Sequence, residues 1–135
     1  MGEGRPDPRF VIVGVTDTVW REYCSWFEKR GVPPPPYVAD SIFVADDTWL
    51  LAGCCIYPCD GPFAVVEFLA TNPIVPGTRP QRAVHFGIKY LTAYGAMRKK
   101  TMLCVSTKAV AAMLRRAGYH HVQSTVMVHG PWTER

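Results

Sequence analysis

The sequence predicts an α+β fold, in which helices flank a mixed, mainly antiparallel sheet that contains one parallel pair of strands. The first half of the chain carries short runs of β-branched and aromatic residues joined by tight turns, a pattern typical of an antiparallel meander. In the second half a helical pattern lies between two such runs, near 63–70 and 101–105, and strands joined by a crossover helix lie parallel. A length of 135 residues fits one domain, 1–135.

The first half of the chain begins with a strand and a helix. The run 10–15 is β-rich, and Thr16 or Asp17 can then cap a helix that we expect to continue to about Arg30, where Gly31 ends it. The aromatic residues of this helix recur at helical spacing, which favours core packing over a substrate pocket. The strands expected to complete the meander are 41–45, 49–57 and 63–70.

Four prolines separate the first helix from the second strand. Pro33 to Pro36 force an extended backbone without hydrogen-bond donors. Such a segment is either a docking site for a proline-binding partner or a rigid connector, and the connector is the more common role. A connector would hold Tyr37 in a fixed place.

The second half of the chain alternates helices and strands. It begins with an irregular loop, 71–80, that is rich in proline. The elements expected after it are a helix over 82–94, a strand over 101–105, a helix from Ser106 or Thr107 to Arg116, and a last strand over 122–128.

Composition and cysteine usage favour a cytoplasmic protein that does not enter a membrane. No apolar run approaches the roughly 20 residues needed to cross a bilayer, and no secretory signal is recognisable. The five cysteines are odd in number and mostly lie among apolar residues, as reduced thiols do. Zinc at Cys54, Cys55 and Cys59 lacks a second ligand pair, and the adjacent His120 and His121 cannot readily share a metal, so we expect no metal site.

Charge is distributed unevenly along the chain. Residues 1–67 carry five Lys and Arg against ten Asp and Glu, whereas residues 68–135 carry ten Lys and Arg against one acid, Glu134. The basic half is expected to attract a polyanion, which would be a phosphorylated cofactor, nucleic acid or both. The alternative is an even surface after the two halves fold together.

A strand, a bent loop and a basic helix start together predict a phosphate site. The first N–H groups of a helix lack partners and point outward, and the helix dipole favours an anion there. Gly77 allows the loop to bend, and Arg79 and Arg82 bring positive charge to its end. The pattern predicts that a diphosphate binds near residues 76–84.

The element order from Glu67 to Gly118 resembles the GNAT N-acetyltransferase superfamily. The acetyl-CoA motif of that family is a strand, a loop of the form R/Q-x-x-G-x-G/A and a helix, followed by a strand, a helix ending near Gly-Phe or Gly-Tyr, and another strand. The segments that match are Val65-Val66-Glu67-Phe68-Leu69-Ala70-Thr71, Arg79-Pro80-Gln81-Arg82-Ala83-Val84, Leu103-Cys104-Val105, and Lys108 through Ala117-Gly118-Tyr119. The resemblance covers the chain from about residue 41 onward and implies a compact, divergent member that uses acetyl-CoA or another acyl-CoA.

The resemblance also implies which residues contact the acyl-CoA. Backbone N–H groups of Leu69 and Thr71, where the two parallel strands diverge, would polarise the thioester carbonyl. The glycines of the family loop are replaced by Gln81 or Arg82 and by Ala83 or Val84, so arginines would compensate for a looser backbone approach. The expected cofactor contacts are Leu69, Ala70, Thr71, Gly77, Thr78, Arg79, Gln81, Arg82, Ala83, Thr107 and Lys108.

Glu67 is the leading candidate for the catalytic base. It is an isolated acid in an apolar strand, where desolvation would raise its pKa toward neutrality, and the alternative is a Glu67 that faces solvent or forms an ion pair. The tyrosine that serves as general acid in many family members corresponds to Leu114, and an asparagine often found before the last helix corresponds to Ser106-Thr107. Ser106 and Tyr119 complete the catalytic candidates, and simple packing is the alternative for Tyr119.

The activity implied by the resemblance is transfer of an acetyl group from acetyl-CoA to an amine, by direct attack in a ternary complex. A covalent enzyme intermediate would need Cys104, and its place in the middle of a strand argues against that route. The acceptor would be a small amine, a peptide or a nucleic acid, held by the loops 31–40 and 128–135. The apolar final strands are consistent with a homodimer.

Two alternatives stay open. The first is a Mom-type enzyme on the same fold that modifies a nucleobase, with Tyr37, Trp49 and Trp132 as stacking surfaces. The second is a catalytically degenerate GNAT-like protein that binds CoA, or nothing, and acts through a protein partner. Leu114 and the missing loop glycines favour this second alternative.

Overall fold

The computed structural model describes residues 9–121, in which five strands form one sheet with helices on both of its faces. The spatial order of the strands follows the sequence, the first three pairings are antiparallel, and the last pairing is parallel. The predicted fold class is therefore confirmed. The elements are β1 (Val11–Val13), α1 (Asp17–Lys29), β2 (Ser41–Ala45), β3 (Leu50–Pro58), β4 (Phe63–Thr71), α2 (Arg79–Arg98), β5 (Thr101–Cys104) and α3 (Lys108–Arg116).

Neighbouring residues of each strand face two different helix layers, because side chains alternate along a strand. In β2, Phe43 packs with Tyr23 and Trp26 of α1. The next residue, Val44, packs with Val84 of α2 on the opposite face. We call these two sides the α1 layer and the α2–α3 layer, since Leu114 of α3 belongs to the same core cluster as Val84.

The helix α1 and the proline segment after it follow the sequence pattern. The Thr16 side chain accepts a hydrogen bond from the Val19 amide, and the chain leaves the helix through Gly31 at a φ of 75°. Pro35 is buried, and the Pro36 carbonyl accepts a hydrogen bond from the Tyr57 hydroxyl at 3.3 Å. Residues 33–36 are thus a connector that packs along the α1 layer toward β3.

The helix α2 is longer than its predicted span at both ends. It begins at Arg79 rather than Arg82, because Pro80 fits a first helical turn, where its missing N–H would have no partner in any case. It ends at Arg98 rather than Tyr94, with Lys99 in the left-handed region. Gly95 lies inside the helix and not at its end. A glycine is needed at this position because a Cβ would lie 2.7 Å from Met102 Cγ.

Within residues 9–121, no helix is long and apolar enough to cross a lipid bilayer. The same part of the chain holds no group of three or more His, Cys, Asp or Glu side chains placed to bind a metal. The last predicted strand, 122–128, the loop 128–135 and Trp132 lie outside the described residues.

Candidate functional site

The sheet opens between its two parallel strands. The register of β4 with β5 runs from Phe63 opposite Thr101 to Val66 opposite Cys104, and the Val105 amide still donates to the Val66 carbonyl at 2.9 Å. Beyond that point β4 continues to Thr71, paired with β3 alone. The far half of β4, with Leu69, Ala70 and Thr71, therefore borders an opening on its β5 side.

A bulge lies in β4 where this opening begins. Gly53 of β3 pairs with Ala70 and Cys55 pairs with Glu67, so Phe68 and Leu69 have no partners in the register. Phe68 has a φ of 59°, which is unfavourable for an aromatic residue. Bulges of this kind re-aim backbone and side chains and are frequent next to active sites.

Glu67 lies on the α1 side of the sheet, because its neighbour Val66 packs with Leu91 of α2 on the opposite side. Glu67 pairs with Cys55, which packs against α1, and its side chain is half-buried. Phe68 packs on the same side, with ring centroids 6.2 Å from Phe27 and 6.3 Å from Tyr57. Burial raises the pKa of the Tyr57 phenol, and nearby Cys55 and the Glu67 carboxylate raise it further. The predicted base therefore lies beside the rings of Phe68 and Tyr57, on the side of the sheet where the segment 33–36 also runs.

The loop between β4 and α2 is held by Asn72, which is not among the site residues predicted from the sequence. Asn72 is 3% exposed, and its Nδ2 donates to the Leu50 carbonyl at 2.8 Å. Its Oδ1 accepts from the Ile74 amide at 3.1 Å, and its own amide donates to the Leu51 carbonyl. Gly77, at a φ of 78°, then turns the chain into α2. The signal available in the sequence was the Asn72-Pro73 pair, which favours a turn.

The head of α2 presents unpaired backbone donors. Thr78 occupies the cap position without a side-chain cap hydrogen bond, and the first turn contains no acid. The Arg82 amide already bonds to the Thr78 carbonyl, and Pro80 has no N–H. The first-turn amides left for an anion are those of Arg79 and Gln81. This end of α2 follows directly on the loop from β4.

Arg79 has a structural contact that the sequence did not indicate. Its guanidinium lies 3.1 Å from Asp46 Oδ2, and the Asp46 side chain is 1% exposed. The amides of Thr48 and Trp49 donate to Asp46 Oδ1 at 2.8 and 2.7 Å. Burial by itself would raise the pKa of Asp46, but these two amides and Arg79 outweigh it and hold the pKa below its usual value. Arg79 thus ties the head of α2 to the turn between β2 and β3.

A basic groove of about 340 Å³ runs from the head of α2 along its outer side to α3. Its cationic and polar lining includes Arg82, Lys89 and Arg116, and none of the described residues that line it is acidic. The ring of Phe86 lies in the groove, 5.5 Å from Phe10 and 5.2 Å from Tyr90. The arrangement suits a phosphorylated ligand with a flat ring. The full set of lining residues is Phe10, Gln81, Arg82, His85, Phe86, Lys89, Met113 and Arg116.

The remaining candidates divide between the two ends of α3. Thr107 caps α3 through the Val110 amide at 3.4 Å, and exposed Ser106 and Lys108 flank it just beyond β5, at the opening. Tyr119 lies past the other end; its hydroxyl is 2.9 Å from Thr92 Oγ1, and its ring packs in the α2–α3 layer. The sheet therefore lies between Tyr119 and Glu67. Most of the predicted site residues lie around the opening and the head of α2, whereas Ala83 is fully buried in the α2–α3 core and Tyr119 lies apart from Glu67.

No protein-family model matches the sequence, and no curated protein is detectably similar to it. Solved structures do match the fold. A "probable acetyltransferase" has a TM-score of 0.65 at 12% identity, covering 94% of this chain and 99% of its own. This chain has the GNAT fold. Within that fold, a "predicted acetyltransferase with acetyl-CoA" from Clostridium acetobutylicum has a TM-score of 0.60 at 10% identity, covering 89% of this chain and 96% of its own. Glucosamine-6-phosphate N-acetyltransferase from Arabidopsis thaliana has a TM-score of 0.61 at 8% identity, covering 89% and 97%.

Proposed function

We propose that this protein transfers an acyl group, acetyl in the simplest case, from acyl-CoA to the nitrogen of an amine. The observation that carries the proposal is the opening between β4 and β5, which begins at the bulge and lies next to the head of α2. An acyl thioester fits the opening, since unpaired strand amides there can donate to its carbonyl, and a diphosphate fits the helix head. The GNAT-fold structure with acetyl-CoA supports this donor.

The diphosphate of the donor would lie against Gly77, Thr78 and the first turn of α2. Arg82 and the basic groove then supply cations for the nucleotide end of the molecule, and Phe86 offers a ring for its base. The pantetheine arm would run from there toward Leu69 and Thr71 on the open edge of β4. Arg79 contributes mainly by holding the head of α2 in place through Asp46.

The proposed reaction is direct attack by the amine on the thioester. Glu67 accepts a proton from the acceptor ammonium, the neutral nitrogen bonds to the carbonyl carbon, and the carbon–sulfur bond breaks. The sulfur leaves as the CoA thiolate, which is protonated to the free thiol. Burial raises the pKa of Cys104 to about 11, so this residue is a protonated thiol and a poor nucleophile near neutral pH. That property supports the direct route over a covalent one.

The acceptor would approach from the α1 layer, where the Glu67 carboxylate faces. The connector 33–36 and the rings of Tyr57 and Phe68 border this side. A small amine is supported by the GNAT-fold neighbour from Arabidopsis thaliana, an N-acetyltransferase of glucosamine-6-phosphate. The rings next to Glu67 would favour an amine with an apolar body.

A nucleic-acid acceptor is the second candidate, because the basic groove with its aromatic rings also suits a nucleotide chain. The groove lies on the α2–α3 layer, whereas Glu67 faces the α1 layer. A strand bound there would occupy the proposed place of the donor and not that of the acceptor. The geometry therefore favours a small amine.

The proposal is tested by thermal unfolding with acetyl-CoA, CoA and longer acyl-CoAs, followed by assay of free CoA with a pool of amines. A donor present at 100 times its Kd should add about 2.7 kcal/mol to the free energy of unfolding. The Arg82→Ala variant should lose most of this stabilisation. Arg21→Ala removes the same charge from the exposed side of α1 and is the control. Absence of any shift contradicts the proposal, and binding without release of CoA indicates the catalytically degenerate alternative.

A further inference from the structure

We infer that Tyr23 is a positioning residue for this reaction: its hydroxyl holds the β4 bulge so that the Leu69 N–H group points toward the bound thioester. The inference rests on the proposed function, because the Leu69 amide has this role only when a thioester lies in the opening. Tyr23 itself belongs to α1 and does not touch the opening.

The ring of Tyr23 is fixed by its surroundings. The residue is 0% exposed, and its ring lies 5.7 Å from Trp26, 5.2 Å from Phe27 and 5.1 Å from Phe43, edge to face in each case. A ring held in this way gives its hydroxyl a single position. From there the hydroxyl donates to the Phe68 carbonyl at 2.5 Å, with Cys55 Sγ at 3.5 Å.

The direction of the Leu69 amide follows from that hydrogen bond. In a trans peptide the C=O of one residue and the N–H of the next lie in one plane and point in opposite directions. The Phe68 carbonyl points to Tyr23 in the α1 layer, so the Leu69 N–H points away from that layer. This is the direction of the α2–α3 layer, which holds the head of α2 and the basic groove.

The pairing of the strands is interrupted at this peptide plane. Phe68 and Leu69 have no partners in the register with β3, and the pairing with β5 ends at Val66. Phe68 also sits at a φ of 59°, from which an aromatic residue tends to relax toward the extended region. The Tyr23 hydroxyl, through its bond to the Phe68 carbonyl, is therefore placed to hold the plane in its observed orientation.

The test is the Tyr23→Phe variant, which removes one oxygen and keeps the ring. We expect kcat for acetyl transfer to fall about 10- to 100-fold with little change in KM for acetyl-CoA, since misdirecting one oxyanion donor affects the transition state most. The infrared carbonyl stretch of bound, carbonyl-¹³C-labelled acetyl-CoA should move toward its value in free solution. Affinity for CoA, which has no thioester carbonyl, should stay unchanged.

Tyr94→Phe is the matched control. Its hydroxyl donates to Asp40 Oδ2 at 2.8 Å and not to the backbone of β4, so its loss should leave both kcat and the carbonyl band as in the wild type. A second variant separates positioning from general damage: glycine adopts positive φ without strain, so Phe68→Gly added to Tyr23→Phe should recover part of the lost kcat. An unchanged carbonyl band in Tyr23→Phe overturns the inference. So does an equal loss of CoA affinity and kcat.

Failure of the proposed function gives a different result. If the wild-type protein binds no acyl-CoA, the proposed function fails, and the positioning of the bulge is still measurable in the unliganded chain. The ¹⁵N-amide resonance of Leu69 and the H–N–Cα–H coupling of Phe68 should then change in Tyr23→Phe and not in Tyr94→Phe. Unchanged resonances in both variants overturn the role assigned to Tyr23.

Discussion

The two helix layers of this sheet differ in the side chains that they place around the candidate site. The α1 layer is built of aromatic rings in edge contact around Tyr23. Its Tyr23 hydroxyl bonds to the β4 bulge, and Glu67 faces this layer. The α2–α3 layer has a core of smaller side chains such as Val84 and Ile88, and its outside carries the basic groove. Between residues 72 and 121 the chain has nine Lys and Arg and no acid. Under the proposed function, the backbone geometry of the site would come from one layer and anion binding from the other.

The largest expected effect separates catalysis from donor binding. Replacing Glu67 by Gln removes the proposed base on the α1 side, and kcat should fall about 10²- to 10⁴-fold. Affinity for CoA, measured by calorimetry, should stay within error, since no cofactor contact is changed. Arg82→Ala should show the opposite pattern, with weaker CoA binding and a smaller change in kcat. If both variants lost affinity and kcat together, the division between the layers would be wrong.

The next effect compares neighbouring residues of β2 that face opposite layers. Phe43→Ala removes a fully buried ring from the α1 layer and should lower the free energy of unfolding by about 3–5 kcal/mol. Val44→Ala removes two methyl groups from the other layer and should cost about 2 kcal/mol. Urea unfolding of both variants measures the difference. Equal costs would contradict the view that each ring of the α1 layer buries more apolar surface than a side chain of the other layer.

Two glycines test how closely each layer approaches the sheet. At Gly53 a Cβ would lie 2.5 Å from Phe43 Cδ1 and 3.2 Å from Tyr23 Cδ1, so Gly53→Ala should cost about 1–3 kcal/mol by overpacking. At Gly87 a Cβ would lie 3.1 Å from Val44 Cγ2, and the better helix propensity of alanine offsets about 1 kcal/mol of that strain. Gly87→Ala should therefore leave the melting temperature nearly unchanged. A larger loss in Gly87→Ala than in Gly53→Ala would reverse the comparison.

The smallest effect concerns the contact that joins the head of α2 to the sheet. Asp46→Asn weakens a charge-assisted contact with Arg79 and should cost about 1–2 kcal/mol at pH 7. The pKa of Asp46 is lowered in the folded state, so its contribution is complete above the ordinary Asp value of about 3.9 and is lost as pH falls through the lower folded value. Wild type and Asp46→Asn should therefore converge in melting temperature in acid. Asp47→Asn, at an exposed position, is the control and should follow the wild type.

Most of the fold could be predicted from local pattern. The cap at Thr16, the exit at Gly31 and the crossover that makes β4 and β5 parallel all depend on residues close in sequence. Local pattern misplaces the ends of α2, because Pro80 is typical of a loop and Gly95 of the end of a helix. The first fits a helix start, and the second is required by the close approach of Met102.

The candidate site was predictable only in part. Basic residues near the loop predict an anion site, and the fold brings Arg82 and Lys89 into one groove. The bulge at Phe68 left no local signal, since the residue that holds it, Tyr23, lies 45 positions away in sequence. The contact of Arg79 with Asp46 likewise joins distant segments. Contacts of this kind depend on how elements pack, and periodicity along the chain does not report them.

The proline in the first turn of α2 has a consequence for how ionic conditions act on this protein. With no N–H at position 80, fewer main-chain dipoles face an anion, and guanidinium and ammonium groups must supply more of the attraction. Mobile ions screen exposed charges over about 8 Å at physiological ionic strength. Added salt would therefore release a diphosphate ligand more readily here than from a helix in which every residue of the first turn has an N–H group.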